Sequence, residues 1–358
     1  MISTETLTSS WIDKVADRFG YRDKPLLEKS VRALYLLEAL VKEGCPLIFK
    51  GGSSLLLLLK DSLHRLSIDV DIICPPGTDI KTYLDGISGY GFRRVVPVGN
   101  AQTRTGLPVS HSKVFFEVEY RTNSSEGFIK LDVLYEDNPY SRTLQLPIDH
   151  QILKQDGAPI MVRIPSREDM LGDKVTAFGP DSIGIPYFKG DRDCSLEIMK
   201  QLFDNGRLFE TISDFSPAYE SFLKVSELEL GYRNMPGQIR KYYDDVRGTA
   251  LSICTRGKVG TGNFTMLQQG IIRLKSFMYQ RSYMIEDAIV DAARIAYLAT
   301  CFEYGMIDIV KYDPATGLPE GISIQPSLPQ ALSRLKASSP EAFYYIAKVS
   351  EMLMNEMK

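Results

Sequence analysis

The chain has 358 residues, of which 44% are apolar and 24% are charged, and its formal net charge is −3. These values are typical of a soluble globular protein and exclude a global positive field, so a nucleic-acid partner would need a local basic patch. No run of about 18 apolar residues occurs, and the N-terminus lacks the pattern of a signal peptide. We therefore expect a cytoplasmic protein without membrane contact.

Cysteine and histidine usage excludes several kinds of site. The five cysteines form no C-x-x-C pair, and the three histidines have no spacing typical of metal ligands. A disulfide framework, a zinc site and Ser/His/Asp catalysis are therefore not expected. We expect the cysteines to be buried, reduced thiols.

The first predicted elements are helical. Residues 1–24 are mixed and polar, which predicts a loosely packed lead-in helix. From Pro25 to Val41 apolar residues recur every three or four positions, and Gly44 follows, a pattern that predicts a helix packed on a sheet.

A strand and a glycine-rich turn come next. Leu47 to Phe49 is a short apolar run, and Gly51-Gly52 allows a sharp turn with close approach of a ligand. Ser53 or Ser54 can cap the Leu-rich helix that follows, whose N-terminal amides form a site suited to a triphosphate. A tight strand-to-helix turn without a ligand is the alternative.

Two aspartates follow that helix. Asp69 and Asp71 are two residues apart in an apolar stretch, so as part of a strand they share one face while Val70 and Ile72 enter the core. Two unpaired anions in such surroundings need a cation, and Mg²⁺ (or Mn²⁺) bound by these carboxylates and substrate phosphates meets that need. The sequence therefore predicts a metal site at Asp69 and Asp71.

A third carboxylate follows from the next strands. The next elements are a short helix, a strand and the two strands of a hairpin, predicted over Asp79–Ile87, Phe92–Val98, Lys113–Tyr120 and Phe128–Tyr135. In the last of these, Lys130 and Asp132 lie on the face opposite to the apolar residues. Asp132 is therefore a candidate third carboxylate.

These motifs together resemble a known fold and family. Gly-Gly-Ser-Ser, a helix, a strand with Asp-x-Asp and a later strand with one Asp resemble the polymerase-beta-like nucleotidyltransferases. K-G-G-S-S-L at 50–55 and R-L-S-I-D-V-D at 65–71 are similar to motifs of the AbiEii/AbiGii (MenT-like) toxins, whose second motif is R-x-S-x-D-x-D. The resemblance implies an α+β fold with a helical C-terminal domain, and an NTP substrate. Its expected nucleotide-binding residues are Lys50, Gly51, Gly52, Ser53, Ser54 and Arg65.

The family also has a lysine and an aspartate beyond the sheet. Ser166 opens a predicted helix as a capping box, and D-K-V-T-A-F at 173–178 is similar to the family's lysine motif, which implies a phosphate contact for Lys174. Lys189, in the loop 179–193, is the other candidate lysine. In the helix predicted over Ser195–Phe209, Asp204 matches the family's aspartate. A solvated Lys174 and a surface Asp204 are the alternatives.

The remainder of the chain is predicted to be helical. The apolar pattern predicts helices over Tyr219–Leu230, Arg240–Cys254, Met266–Phe277, Ser282–Gly305 and Pro340–Met357, and a flexible loop at 256–262. Clustered basic residues here would dock a nucleic acid, whereas scattered ones would be solubilising charges. The basic residues are Arg233, Arg240, Lys241, Arg247, Arg256, Lys258, Arg273, Lys275 and Arg281. We expect two domains, a nucleotidyltransferase core at 1–165 with a helical lead-in and a helical domain at 166–358 closing the NTP cleft.

The resemblance, which covers about residues 45–210, implies a function. It implies a toxin of a type IV toxin-antitoxin or phage-defence system that transfers nucleotides to RNA, with the tRNA 3′ end as the expected acceptor and a cognate antitoxin as a partner. Asp132 would help to deprotonate the acceptor hydroxyl. A protein or small-molecule acceptor, or a non-catalytic binding module of the same fold, are the alternatives; the intact Asp69/Asp71 pair favours catalysis.

Overall fold

The computed structural model describes residues 1–92, 94–98 and 110–356. The chain forms two compact units. The first contains residues 1–166 and 276–282, and the second contains residues 167–275 and 283–358.

The first unit is built on a five-stranded mixed sheet in the order β1-β2-β5-β4-β3. Strands β2 and β5 are parallel, and the other neighbours are antiparallel. The strands are β1 (Ile48–Lys50), β2 (Val70–Cys74), β3 (Arg94–Val98), β4 (Ser110–Glu119) and β5 (Glu126–Tyr135). The predicted strand Phe92–Val98 is thus observed from Arg94, and its residue 93 lies outside the described residues.

The two faces of the central strands differ as the alternation predicts. Val70, Ile72, Leu131 and Val133 are fully buried on one face of β2 and β5. Because side chains alternate along a strand, the charged residues of β2 and β5 occupy the other face. Burial of the apolar residues therefore fixes which face carries the carboxylates.

The described residues of the first unit include four α-helices. They are α1 (Ser9–Phe19), α2 (Lys24–Lys42), α3 (Gly51–Leu59) and α4 (Lys81–Ile87). The prediction for α2 is confirmed: Asp23 caps it, a proline lies in its first turn, and most of its residues are buried.

The prediction of a loosely packed lead-in at residues 1–24 is wrong. Ile12 is fully buried, and the backbone N–H of Ile2 donates to Glu38 Oε2 at 2.8 Å. The N–H of Ser3 also bonds to the carbonyl of Lys154 at 2.9 Å. The partners lie far away in the sequence, so local composition did not indicate this packing.

The first unit also contains a pair of strands and a segment from later in the chain. Strands β6 (Thr143–Pro147) and β7 (Met161–Pro165) form an antiparallel pair. The segment 276–282 hydrogen-bonds to the residues before β2, since the N–H of Leu66 donates to the carbonyl of Phe277 at 2.8 Å and that of Tyr279 to His64 at 3.1 Å. This segment therefore helps to hold the R-x-S-x-D-x-D stretch in place.

All five cysteines are buried free thiols. Cys45 and Cys74 are neighbours in space, with their Sγ atoms 3.9 Å apart. The other three thiols lie in the second unit.

Helices are the main regular structure of the second unit. Its helices are α5 (Arg167–Thr176), α6 (Ser195–Thr211), α7 (Ser216–Tyr232), α8 (Ile239–Cys254), α9 (Phe264–Leu274), α10 (Ile285–Glu303), α11 (Leu335–Ser338) and α12 (Pro340–Glu356). The buried helix α10 packs against α6, α8 and α12, and α5 packs against α7. Two short strands, β8 (Phe188–Lys189) and β9 (Arg192–Asp193), form a small hairpin.

The helices predicted after residue 210 are confirmed, with ends shifted by a few residues. The predicted helix Met266–Phe277 continues after Leu274 as a 3₁₀ turn, Lys275–Phe277, and the predicted end Met357 lies outside the described residues. Within the described part of the chain, no helix combines the length and apolar character needed to cross a membrane. The predicted mixed α/β core with a helical C-terminal region is confirmed.

Candidate active site

The candidate site in the first unit lies on the charged face of the sheet. The register pairs Asp71 of β2 with Lys50 of β1 on one side and with Asp132 of β5 on the other. Paired residues of neighbouring strands point to the same face, and Asp69, two residues before Asp71, joins them there. The sheet thus brings together the three predicted carboxylates.

The turn between β1 and α3 packs directly against Asp71. Gly51 has a φ of +74°, and a Cβ added to it would overlap the Asp71 carboxylate, 2.9 Å from the Cγ atom. A Cβ on Gly52 would lie 2.9 Å from Ser67 Oγ and 3.0 Å from Arg65 Nη2. Both glycines are therefore required by close approach, and Gly51 also by its backbone conformation.

The predicted capping of α3 by Ser53 or Ser54 is wrong. Helix α3 begins at Gly51, and both serines lie buried in its first turn. Ser53 Oγ donates to the carbonyl of Asp69, and Ser54 Oγ donates to the carbonyl of Gly51 at 2.9 Å. No side chain caps α3, so the N–H groups of its first turn have no partner within the helix.

Arg65 and Ser67 pack against the turn between β1 and α3. Arg65 is only 1% exposed, and its Nη1 donates to the carbonyl of Leu66 at 2.8 Å. Ser30 Oγ on α2 donates to the carbonyl of Ser67. The arginine and serine side chains of the R-x-S pattern thus pack directly against Gly52.

The three carboxylates have different electrostatic surroundings. Burial raises the pKa of Asp71 to about 6, and the neighbouring Asp69 and Asp132 add to the increase, against Lys130 and Lys50. Burial also disfavours the charged form of Asp132, but His111 and Lys130 outweigh it and lower the pKa to about 2. Asp132 is therefore held ionised, whereas Asp71 titrates close to neutral pH.

Lys130 contacts two of these carboxylates. Its Nζ lies 3.3 Å from Asp69 Oδ2 and 2.9 Å from Asp132 Oδ2. The sequence placed Lys130 on the same face as Asp132, but the contact with Asp69 depends on the parallel register of β2 and β5. The need for a cation beside the two aspartates is thus met in part by this ammonium group.

Two other residues near the carboxylates were missed from the sequence. Burial lowers the pKa of Lys29 on α2, and the nearby Asp69 opposes that effect. His111 Nε2 lies 3.7 Å from Asp132 Oδ1. No sequence motif indicated Lys29, and His111 lies two residues before the predicted hairpin strand Lys113–Tyr120, in the observed strand β4.

Two observations fit a divalent cation at this face. Asp71 and Asp132 lie side by side in the sheet, and among residues 1–92, 94–98 and 110–356 the buried Asp132 Oδ1 has no hydrogen-bond partner. No group of three or more His, Cys, Asp or Glu side chains in these ranges has the geometry of a complete metal centre. A cation held by one or two carboxylates and by substrate oxygens, as is usual for Mg²⁺, matches this donor set.

The remaining predicted residues lie in the second unit. Lys174 and Asp204 form a buried ion pair, with Nζ 2.9 Å from Oδ2 and side-chain exposures of 5% and 1%. Lys174 Nζ also donates to Gln201 Oε1 at 3.1 Å. The alternatives of a solvated Lys174 and a surface Asp204 are therefore wrong, whereas Lys189 lies exposed on β8.

The basic residues of the second unit are mostly paired with acids. Arg240, Arg256 and Arg273 lie within 3.4 Å of Glu356, Glu286 and Asp193 respectively. The pairs Arg233–Glu229 and Arg247–Glu303 are closer still. These contacts favour the interpretation of solubilising and structural charges.

Replacing Gly51 with alanine should displace the Asp71 carboxylate and lower the activity of the site by about 10- to 100-fold, because a misplaced catalytic group loses alignment. Gly20→Ala is the matched control, since Gly20 has a φ of +71° and nothing within 4 Å of an added Cβ. Both variants should lose roughly 1 kcal/mol through backbone strain. Equal activity losses in the two variants would show that strain, not the contact with Asp71, is responsible.

Comparison with known proteins gives a family match. A sequence model of the family described as "Nucleotidyl transferase AbiEii toxin, Type IV TA system" matches residues 32–255. Among solved structures, the chain is similar to MenT4, a nucleotidyltransferase toxin from Mycobacterium tuberculosis H37Rv, with 12% identity over 98% of this chain and 99% of that chain and a TM-score of 0.49. It is also similar to JHP933 from Helicobacter pylori, with 16% identity over 78% of this chain and 94% of that chain and a TM-score of 0.41. The comparison with curated proteins gives no match.

Proposed function

Because the chain belongs to the AbiEii family of nucleotidyl transferase toxins of type IV toxin-antitoxin systems, we propose that it transfers a nucleotide from an NTP to the 3′ end of an RNA, with tRNA as the acceptor. The family and the nucleotidyltransferase class predicted from the sequence are confirmed. The acceptor, the metal and the roles of single residues are proposals.

One observation carries this proposal. Asp71 and Asp132 are neighbours in the sheet register, and the buried Oδ1 atom of Asp132 accepts no hydrogen bond from the described residues. An anion left in this state is costly unless a cation or a substrate proton meets it. The N-terminal amides of α3, which suit phosphate oxygens, begin directly beside Asp71.

The proposed reaction is an in-line displacement at the α-phosphate. The acceptor hydroxyl oxygen forms a bond to the α-phosphorus, the bond from that phosphorus to the bridging oxygen breaks, and pyrophosphate leaves with the electron pair. Mg²⁺ (or Mn²⁺) held by Asp69 and Asp71 would supply Lewis-acid charge at the phosphate oxygens. Asp132 Oδ1 would receive the hydroxyl proton, and the α3 amides would bind the phosphates.

The charge balance of the site supports an NTP substrate. Three carboxylates, Asp69, Asp71 and Asp132, face three lysines, Lys29, Lys50 and Lys130. One bound divalent cation would therefore leave a surplus of about two positive charges for a triphosphate. We propose that the protein acts in the cytoplasm, where NTPs and tRNA are present, and that a cognate antitoxin restrains it.

The test is labelling of RNA. Purified protein is incubated with total RNA, Mg²⁺ and each α-³²P-labelled NTP in turn, and a tRNA-sized band should be labelled by a preferred NTP. Oxidising the RNA with periodate beforehand destroys the 3′-terminal diol and should remove the label. Asp71→Asn protein and samples with EDTA are the controls. Label that appears only on protein would contradict an RNA acceptor.

A further inference from the structure

Lys130 occupies a position that a metal ion would otherwise be expected to take. Its Nζ bridges Asp69 Oδ2 and Asp132 Oδ2 at 3.3 Å and 2.9 Å. The contact is fixed by the fold, because Lys130 precedes Asp132 by two residues on β5 and the parallel register sets it opposite the residue before Val70. An ammonium group therefore lies between the first and the third carboxylate.

Bridging of carboxylates is also what divalent ions do in phosphoryl-transfer sites with two metals about 3.5–4 Å apart. Mg²⁺ binds oxygen at about 2.0–2.1 Å in octahedral geometry, so it cannot share the same carboxylate oxygens and space with an ammonium group. The Lys130 side chain is only 28% exposed, and Lys29 adds positive charge next to it. Both features disfavour a second divalent ion between Asp69 and Asp132.

We propose that the Lys130 ammonium replaces one of two divalent ions, so that this site holds a single ion, with Asp71 as its main ligand. The inference rests on the proposed function for the chemistry that the remaining ion supports. Asp132 Oδ2 is occupied by Lys130, which leaves Oδ1, without a hydrogen-bond partner in the described chain, for the acceptor proton. Lys130 thereby acts as a fixed counter-ion that positions both carboxylates.

The test counts bound Mn²⁺ on the intact chain by electron paramagnetic resonance, with Mn²⁺ as the sole added ligand. Wild-type protein should bind one ion, and Lys130→Met should bind two ions per chain. Lys113→Met is the matched control, because Lys113 pairs with Asp132 in the register and is exposed, and the variant loses the same charge. It should keep the wild-type count.

Equal counts and affinities in Lys130→Met and wild type would overturn the proposal, as would an equal gain in Lys113→Met. If Lys130→Met does not fold, the wild-type count decides, since one ion supports the proposal and two ions or none overturn it. The count needs neither NTP nor RNA. An ion count that overturns this proposal therefore does not affect the result of the transfer assay. Likewise, an absence of nucleotide transfer does not change the number of bound ions.

Discussion

Replacing Asp71 with asparagine is expected to reduce nucleotidyl transfer by at least about a thousandfold, which corresponds to roughly 4 kcal/mol of transition-state stabilisation. Asp71 lies between Lys50 and Asp132 in the sheet and against Gly51, so its carboxylate is the one best placed to hold the divalent ion. Growth arrest on expression should disappear in the same variant. Transfer and growth arrest are the two measurements.

The same substitution should stabilise the metal-free protein. The Asp71 carboxylate is half-buried between β1 and β5, and its desolvation raises its pKa to about 6. Its charge therefore destabilises the folded state at neutral pH by about 3 kcal/mol, which the neutral amide relieves. Unfolding by urea in the presence of EDTA should show a higher midpoint for the variant.

The pH dependence of this gain follows from the direction of the pKa shift. Below about pH 4 Asp71 is protonated in both the folded and the unfolded state, so the variant should gain nothing from the lost charge. Between about pH 4 and 6 Asp71 is ionised in the unfolded state but still largely protonated in the folded state. As the pH rises through this range, the stability of wild type therefore falls relative to that of the variant. Above about pH 6 the difference should be constant.

Asp85→Asn is the control, because Asp85 is exposed on α4 of the same unit and the variant loses the same charge. It should alter neither transfer nor the unfolding midpoint. An Asp71→Asn protein that still transfers nucleotide would remove Asp71 from the mechanism. An Asp71→Asn protein that is less stable than wild type in EDTA at pH 7 would contradict the prediction that the Asp71 charge destabilises the folded state.

Elements with a strong local signal were predictable. Gly51-Gly52 after a short apolar strand and the alternation around Asp71 and Asp132 defined β1, α3, β2 and β5 because turn chemistry and the period-two pattern are local properties. The face on which each carboxylate lies also followed from that alternation. Local sequence was therefore sufficient to predict these four elements and the buried faces of strands β2 and β5.

Contacts set by long-range register were not predictable. The pair Asp69–Lys130 depends on the parallel pairing of β2 with β5, and helix α4 and strands β3 and β4 lie between these two strands in the sequence. The packing of Ile2 and of segment 276–282 in the first unit also depends on partners that are distant in the sequence. A single sequence contains no periodicity that indicates which distant strands pair. The ion pairs of the site could therefore be identified only from the structure.

A second large effect, on the free energy of unfolding, is expected from substitutions in the buried ion pair of Lys174 and Asp204. Lys174→Met or Asp204→Leu alone should destabilise the protein by about 3–5 kcal/mol, because each leaves the opposite charge buried and uncompensated. The double variant replaces both charges by apolar groups and should recover most of that stability. Urea unfolding of the three variants measures this cycle.

Activity separates a structural role from a functional one. Because Lys174 lies in the motif that is similar to the family's lysine motif, we expect the stable double variant to transfer nucleotide at least about 100-fold more slowly than wild type. Lys189→Met should stay within about twofold of wild type, since Lys189 lies exposed on the two-residue strand β8. Recovery of both stability and transfer in the double variant would make the pair purely structural. A large loss in Lys189→Met, with transfer intact in the double variant, would identify Lys189 as the phosphate-binding lysine.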